Sequence, residues 1–167
     1  MNKKQKGFSL IELLIVVAII LIIAAIAIPN LLRARMAANE SSAVGTVRTI
    51  VTAEVTYSST WNTGFATTLA ILGGATPCTA TALQACLIDN LIAQGGPKSG
   101  YTIAAAGANT VNGITNSFGA AAYPVTQGTT GTRTFCSDES GVVRVDINGG
   151  PMAAPTDLIC QGFPSLQ

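Results

Sequence analysis

The apolar run of residues 8–28, broken by one charge at Glu12 and closed by Pro29, constrains this chain more than anything else in it. Wound as an α-helix at about 1.5 Å per residue, the run reaches about 30 Å, the hydrocarbon thickness of a bilayer. A charged side chain at the centre of such a span costs roughly 2.5–3.5 kcal/mol on insertion scales. Glu12 stands about 6 Å from the start of the run, so its cost is smaller. A carboxylate there still needs a partner, and no Lys or Arg lies within the run.

Residues 1–6, with Lys3, Lys4 and Lys6, form a short basic leader. By the positive-inside tendency it stays in the cytoplasm and sends the rest of the chain outward. The head can be read in three ways. An ordinary secretory signal would use Ala25-Ile26-Ala27 as its small-x-small cleavage site, but the run exceeds the usual apolar core of about 7–15 residues and carries a carboxylate. A plain signal anchor accounts for length and orientation and leaves Glu12 without a purpose. The third reading rests on a resemblance given below.

Beyond Pro29, Val44, Val47, Ile50, Val51 and Val55 recur at helical spacing as one apolar stripe, with Arg33, Arg35, Glu40, Arg48 and Glu54 at other positions. This predicts a helix from Phe8 to near Ser59, with Pro29 as an internal kink or break and Gly45 as a second soft point. A Gly- and Pro-punctuated stretch follows. It holds one helical piece over residues 81–94, ended by Gly95-Gly96-Pro97. Short strands are expected at 100–107, 117–125, 132–138 and 141–147, with turns at Asn112-Gly113 and around Asp138 to Gly141. The Pro-rich tail reads as irregular. The expected organisation is a leader (1–7), an apolar membrane or filament-core helix (8–29), an amphipathic helix entering a globular head (30–61), a loop with a short helix (62–100), and an antiparallel sheet with a tethered tail (101–167). The fold class is α+β, a long kinked N-terminal helix on a small antiparallel sheet.

Nine basic and eight acidic residues give no footprint for direct nucleic-acid binding. The chain has no histidine, which excludes a Ser-His or Cys-His catalytic unit and any His-ligated metal site within it. With no paired carboxylates and no phosphate-cradling Gly loop, neither an enzyme nor a cofactor is expected. The cysteines, Cys78, Cys86, Cys136 and Cys160, contain no C-x-x-C. After an export-type head they read as two disulfides rather than a zinc site. Asp138, Glu139, Asp146 and Asp157 read as solvated turn residues rather than a cation cluster. Asn39-Glu40-Ser41 matches a glycosylation acceptor by chance, on a helix.

The basic leader ending in Gly7, the stretch FSLIELLIVVAII, the carboxylate five residues after the glycine and AIPNLL closing the span strongly resemble the type IV pilins. The resemblance covers about the first 35 residues at high specificity and the remainder loosely. It implies that an inner-membrane prepilin peptidase cuts between Gly7 and Phe8 and methylates the new amine of Phe8. It implies that an assembly platform and ATPases move the subunit from the inner membrane into a helical homo-oligomeric filament at the cell surface. Glu12 would then set assembly register by pairing with the Phe8 amine of a staggered neighbour, since an unpaired buried charge is strongly penalised. Losing three of nine basic residues leaves six against eight acidic ones, a side-chain net of −2. Many family members have a glycine where this chain has Leu21, so any helix melting in the filament should be shorter here, or confined to the turns before Pro29.

Four cysteines allow three connectivities. Cys136–Cys160 would staple the tail to the sheet, like the C-terminal disulfide loop of many pilins, and is worth about 3–4 kcal/mol by loop entropy. Cys78–Cys86 would close the small loop between them. The function expected is the repeating subunit of a type IV pilus serving adhesion, twitching motility or DNA uptake. The alternative is a type II secretion pseudopilin, for which an acidic calcium site and no cysteine framework would be expected.

Overall fold

The computed structural model describes residues 8–166. Lys3, Lys4, Lys6 and the expected cleavage residue Gly7 therefore lie outside the described residues. Two compact units divide between Arg35 and Met36.

The first unit is helical. Helix α1 (Leu10–Trp61) begins there and contains Pro29 without interruption, so a break at Pro29 does not occur. The imide nitrogen only leaves the Ala25 carbonyl without its usual donor. From Leu10 to Leu32 the large apolar side chains are exposed on every side of the helix. A helix apolar all round is made for a nonaqueous surrounding, and this one is long and apolar enough to cross a membrane.

In the second unit, the remainder of α1 lies across a four-stranded antiparallel meander. Its strands are β1 (Tyr101–Val111), β2 (Ile114–Pro124), β3 (Thr134–Asp138) and β4 (Arg144–Asp146), in the order β1-β2-β3-β4. Asn112 and Gly113 both take positive φ, 51° and 79°, and pair Val111 with Ile114 across a two-residue hairpin loop. The core joins Val47, Ile50 and Tyr57 of α1 to Tyr101, Ile103, Phe118, Ala120, Ala122, Phe135 and Val145 of the sheet. On the other face Ala121, Cys136, Met152 and Cys160 form a second, smaller cluster.

The buried stripe of α1 differs from the one expected. It runs through Glu40, Ala43, Val47, Ile50, Glu54 and Tyr57, while Val55 is 53 % exposed. The carboxylates belong to the packed face because both have donors waiting on the facing segments. On the opposite face the hydroxyls of Thr49, Thr52, Thr56 and Thr60 donate back to carbonyls four residues earlier.

Two short helices, α2 (Leu69–Leu72) and α3 (Asn90–Ala93), occupy the middle stretch. The helix expected over residues 81–94 is reduced to α3. Residues 85–88 are instead drawn along α2: Ala85 N–H donates to Ile71 O, and Leu87 and Ile88 N–H donate to Leu72 O. Cys86 at φ 58° leaves the helical region altogether. The tail is not wholly irregular, since Thr156 caps a last short helix, α4 (Asp157–Gln161). Segments of the chain itself meet both margins of the sheet. Thr67 O accepts from Gly107 N–H beside β1. Beside β4, Val145 N–H donates to Pro164 O and Leu166 N–H to Val143 O.

Candidate functional site

At the start of α1, Glu12 is the third helical residue after Ser9, and its Oε2 accepts the Ser9 backbone N–H at 2.9 Å. Ser9 O in turn accepts from the N–H groups of Glu12 and Leu13. This is the carboxylate half of a capping box, which satisfies one of the N–H groups a helix start leaves open. The serine three residues before Glu12 is the sequence signal for it. Phe8, one residue further out, is 89 % exposed. Leu10, Leu13, Leu14, Val17, Ala18 and Leu21 line one shallow apolar groove along the same helix. The site therefore offers a carboxylate held by a single local hydrogen bond, with exposed apolar surface around it. It can seat a second helix and exchange that bond for a stronger, charged one.

In the second unit, Glu40 is the most heavily bonded carboxylate. Oε1 accepts from Thr132 N–H, Thr132 Oγ1 and Arg133 N–H, and Oε2 accepts from Arg133 Nε and Nη2 at 3.0 and 2.6 Å. Burial pushes its pKa up, but the bonds from Arg133 and Thr132 and the Arg133 charge outweigh it, leaving the carboxyl below its usual 4.5. The Arg133 guanidinium also lies 5.4 Å from the Phe135 ring centroid, and Tyr101 Oη donates to Arg133 O at 2.9 Å. Burial, with the Glu40 charge adding to it, pushes the Tyr101 phenol up.

Glu54 is fully buried. Its Oε2 accepts Ala66 N–H at 2.8 Å, while Oε1 has no partner. Burial pushes its carboxyl up to about 7, against the lowering effect of that one bond.

The remaining predicted positions divide. Cys78 pairs with Cys86 and Cys136 with Cys160, the first bridge beside α2 and the second beneath the tail. Asp138 and Asp146 accept from Ser140 N–H and Asn148 N–H two residues on, as turn caps. Asp138 and Asp157 are buried, contrary to their reading as solvated turn residues, because the tail folds back over this face of the sheet. Among the described residues, no group of three or more metal-ligating side chains forms.

Fold and site together define a class: a small α+β unit and a helix start apolar enough for a membrane, with one carboxylate in that helix's first turn. Residues 2–28 match the family described as the prokaryotic N-terminal methylation motif. Over 39 residues the chain is 64 % identical to the type IV wide pilus major component PilA4 of Thermus thermophilus, covering 23 % of this chain and 30 % of that protein. Over 56 residues it is 45 % identical to the type IV major pilin protein PilA of Myxococcus xanthus, covering 34 % of this chain and 26 % of that one. The matches thus span less than a third of either relative, and no solved structure matches. The methylation motif and the matches to these major pilins support a type IV pilin.

Proposed function

We propose that this chain is the major structural subunit of a type IV pilus. It is cut between Gly7 and Phe8, N-methylated at Phe8, and assembled from the inner membrane into a filament at the cell surface. The observation that carries this reading is Glu12, a lone carboxylate on the apolar, uncovered stretch of α1 before Pro29, four residues from Phe8. Cleavage would place an ammonium at the same depth. Glu12 would then trade the Ser9 N–H for the Phe8 amine of a staggered neighbour, and any other stagger would leave both charges unpaired in a dry core. In this reading Pro29 ends the filament-core stretch, and the head, with its two disulfides, forms the outer surface. That surface would serve adhesion, motility or DNA uptake.

The test is intact mass of protein sheared from cell surfaces, with and without reduction. A chain beginning at Phe8 with one added methyl and two disulfides supports the proposal. A chain retained only in membranes points to a pseudopilin or a plain anchor, and one cut after Ala27 to an ordinary secreted protein.

A further inference from the structure

One turn beyond the apolar run, Arg33 and Arg35 are both exposed, within the first compact unit. Two residues apart on a helix, they project about 200° from one another, on opposite sides of the axis. Among the described residues the only ion pair is Glu40–Arg133, so neither arginine has a carboxylate partner there. At 1.5 Å per residue they stand about 8 and 10 Å past Ile28, the level at which a span ending at Ile28 meets phosphates. Long basic side chains at such a place lie their stems on the apolar surface and raise their charge to the headgroups.

We propose that Arg33 and Arg35 form a collar that binds the headgroup phosphates of anionic phospholipids on the leaflet opposite the leader. The inference rests on the membrane-held precursor proposed above and names its lipid partner.

Three observations carry it. Guanidiniums on opposite sides of one helix need anions around its whole circumference, which a ring of lipid supplies and a single protein neighbour does not. The one acid between Phe8 and Asn39 is Glu12, about 30 Å away along the helix, so a parallel neighbour in register brings no carboxylate to this level. Glu40, the next acid along, is already saturated by Thr132 and Arg133. The leader holds Lys3, Lys4 and Lys6 on the cytoplasmic side. Once they are cut away, Arg33 and Arg35 are the only basic side chains left on the helix before the head, and the subunit's grip on anionic lipid moves from one leaflet to the other.

The test uses the full uncut chain in phosphatidylcholine vesicles with spin-labelled phosphatidylglycerol or phosphatidylcholine, reading which lipid is enriched in the motionally restricted boundary shell. The expected result is enrichment of phosphatidylglycerol that survives in K3Q/K4Q/K6Q and falls in R33Q/R35Q, by up to about five-fold for each arginine removed. It should also fade in concentrated salt. An R33Q/R35Q chain with the same lipid preference as wild type overturns the collar. If inorganic phosphate at matched ionic strength abolishes the preference, the arginines take free phosphate and the lipid assignment is overturned. If no boundary shell forms at all, the membrane reading falls first and the collar with it. Head folding, checked by retention of both disulfides, is untouched because both arginines are exposed.

Discussion

Glu40 and Arg133 are 93 residues apart in the chain, and their side chains meet at 2.6 Å. Through that contact and the bonds to Thr132, the helix holds the turn that leads from β2 into β3. The two partners are unequal. Glu40 is buried, whereas the Arg133 side chain is 43 % exposed. Glu40→Ala removes the charged acceptor of five bonds from Thr132 and Arg133 and should cost about 2–3 kcal/mol, while Arg133→Ala leaves a carboxylate that still has Thr132 and should cost about 1 kcal/mol. Urea unfolding of the detergent-solubilised chain, followed by Trp61 fluorescence, gives both values. Equal losses would contradict this account of the clamp.

The pH dependence of stability follows from two carboxylates shifted in opposite directions. Glu54 titrates at about 7 in the fold against 4.5 unfolded, so the folded state binds the extra proton. Its contribution is complete below pH 4.5 and disappears as pH rises to about 7, a loss on the order of 3 kcal/mol. Glu40, lowered below 4.5, contributes above its unfolded value and loses that contribution as pH falls through its folded one. The head should be most stable on the acid side of neutrality. Glu54→Gln keeps an acceptor for Ala66 N–H and should flatten the decline between pH 4.5 and 7. An unchanged slope in thermal unfolding across that range would show that Glu54 is not its source.

The two disulfides should open at different reductant concentrations. Cys136 and Cys160 are buried at 1 % and 0 % exposure, whereas Cys78 is exposed and Cys86 half-buried. Graded reduction with alkylation and peptide mass analysis should label Cys78 and Cys86 first. By loop entropy alone, losing the Cys136–Cys160 bridge costs about 3.5 kcal/mol and losing the smaller one about 2.5. Gly119→Ala tests the same tail without touching sulfur. A Cβ there would come 2.8 Å from the Pro155 carbonyl, and the tail should lift, making Cys160 easier to reduce.

Glu12 has a helix-capping role in the single chain and a proposed register role between chains. Glu12→Gln retains an oxygen for the Ser9 N–H and loses only the charge, so circular dichroism should be unchanged while filament yield collapses. Filaments of normal yield and symmetry from that variant would remove Glu12 from assembly.

The sequence displays some of this directly and conceals the rest for definable reasons. The apolar run, the four strand positions and the hairpin at Asn112-Gly113 are local signals of period and turn chemistry, and the structure follows them. Glu40 and Glu54 escaped because a stripe traced through valines sorts every carboxylate to the wet side. The spacing from Glu40 through Val47 to Glu54 was regular all along; what was invisible was the donors supplied by Thr132, Arg133 and Ala66 from distant segments. The helix expected at 81–94 failed for a similar reason. Its periodicity is real, but hydrogen bonds to α2 and a bridge from Cys78 compete with it. Capping at Ser9 was legible three residues before Glu12 and needed only a helix start to be placed there.

The segments at Thr67 and Pro164 that meet the two margins of the sheet have a further consequence. Unpaired strand edges invite another chain to add itself, and that is how β-proteins crowded at high concentration pass into amyloid. Here the chain's own segments occupy part of each edge, at Gly107 on β1 and at Val145 on β4. Where those segments lie, the edge is not free to template cross-β growth. In the proposed filament, self-association falls to the helix, where a side-chain fit, and not a backbone ladder, would decide which partner is accepted.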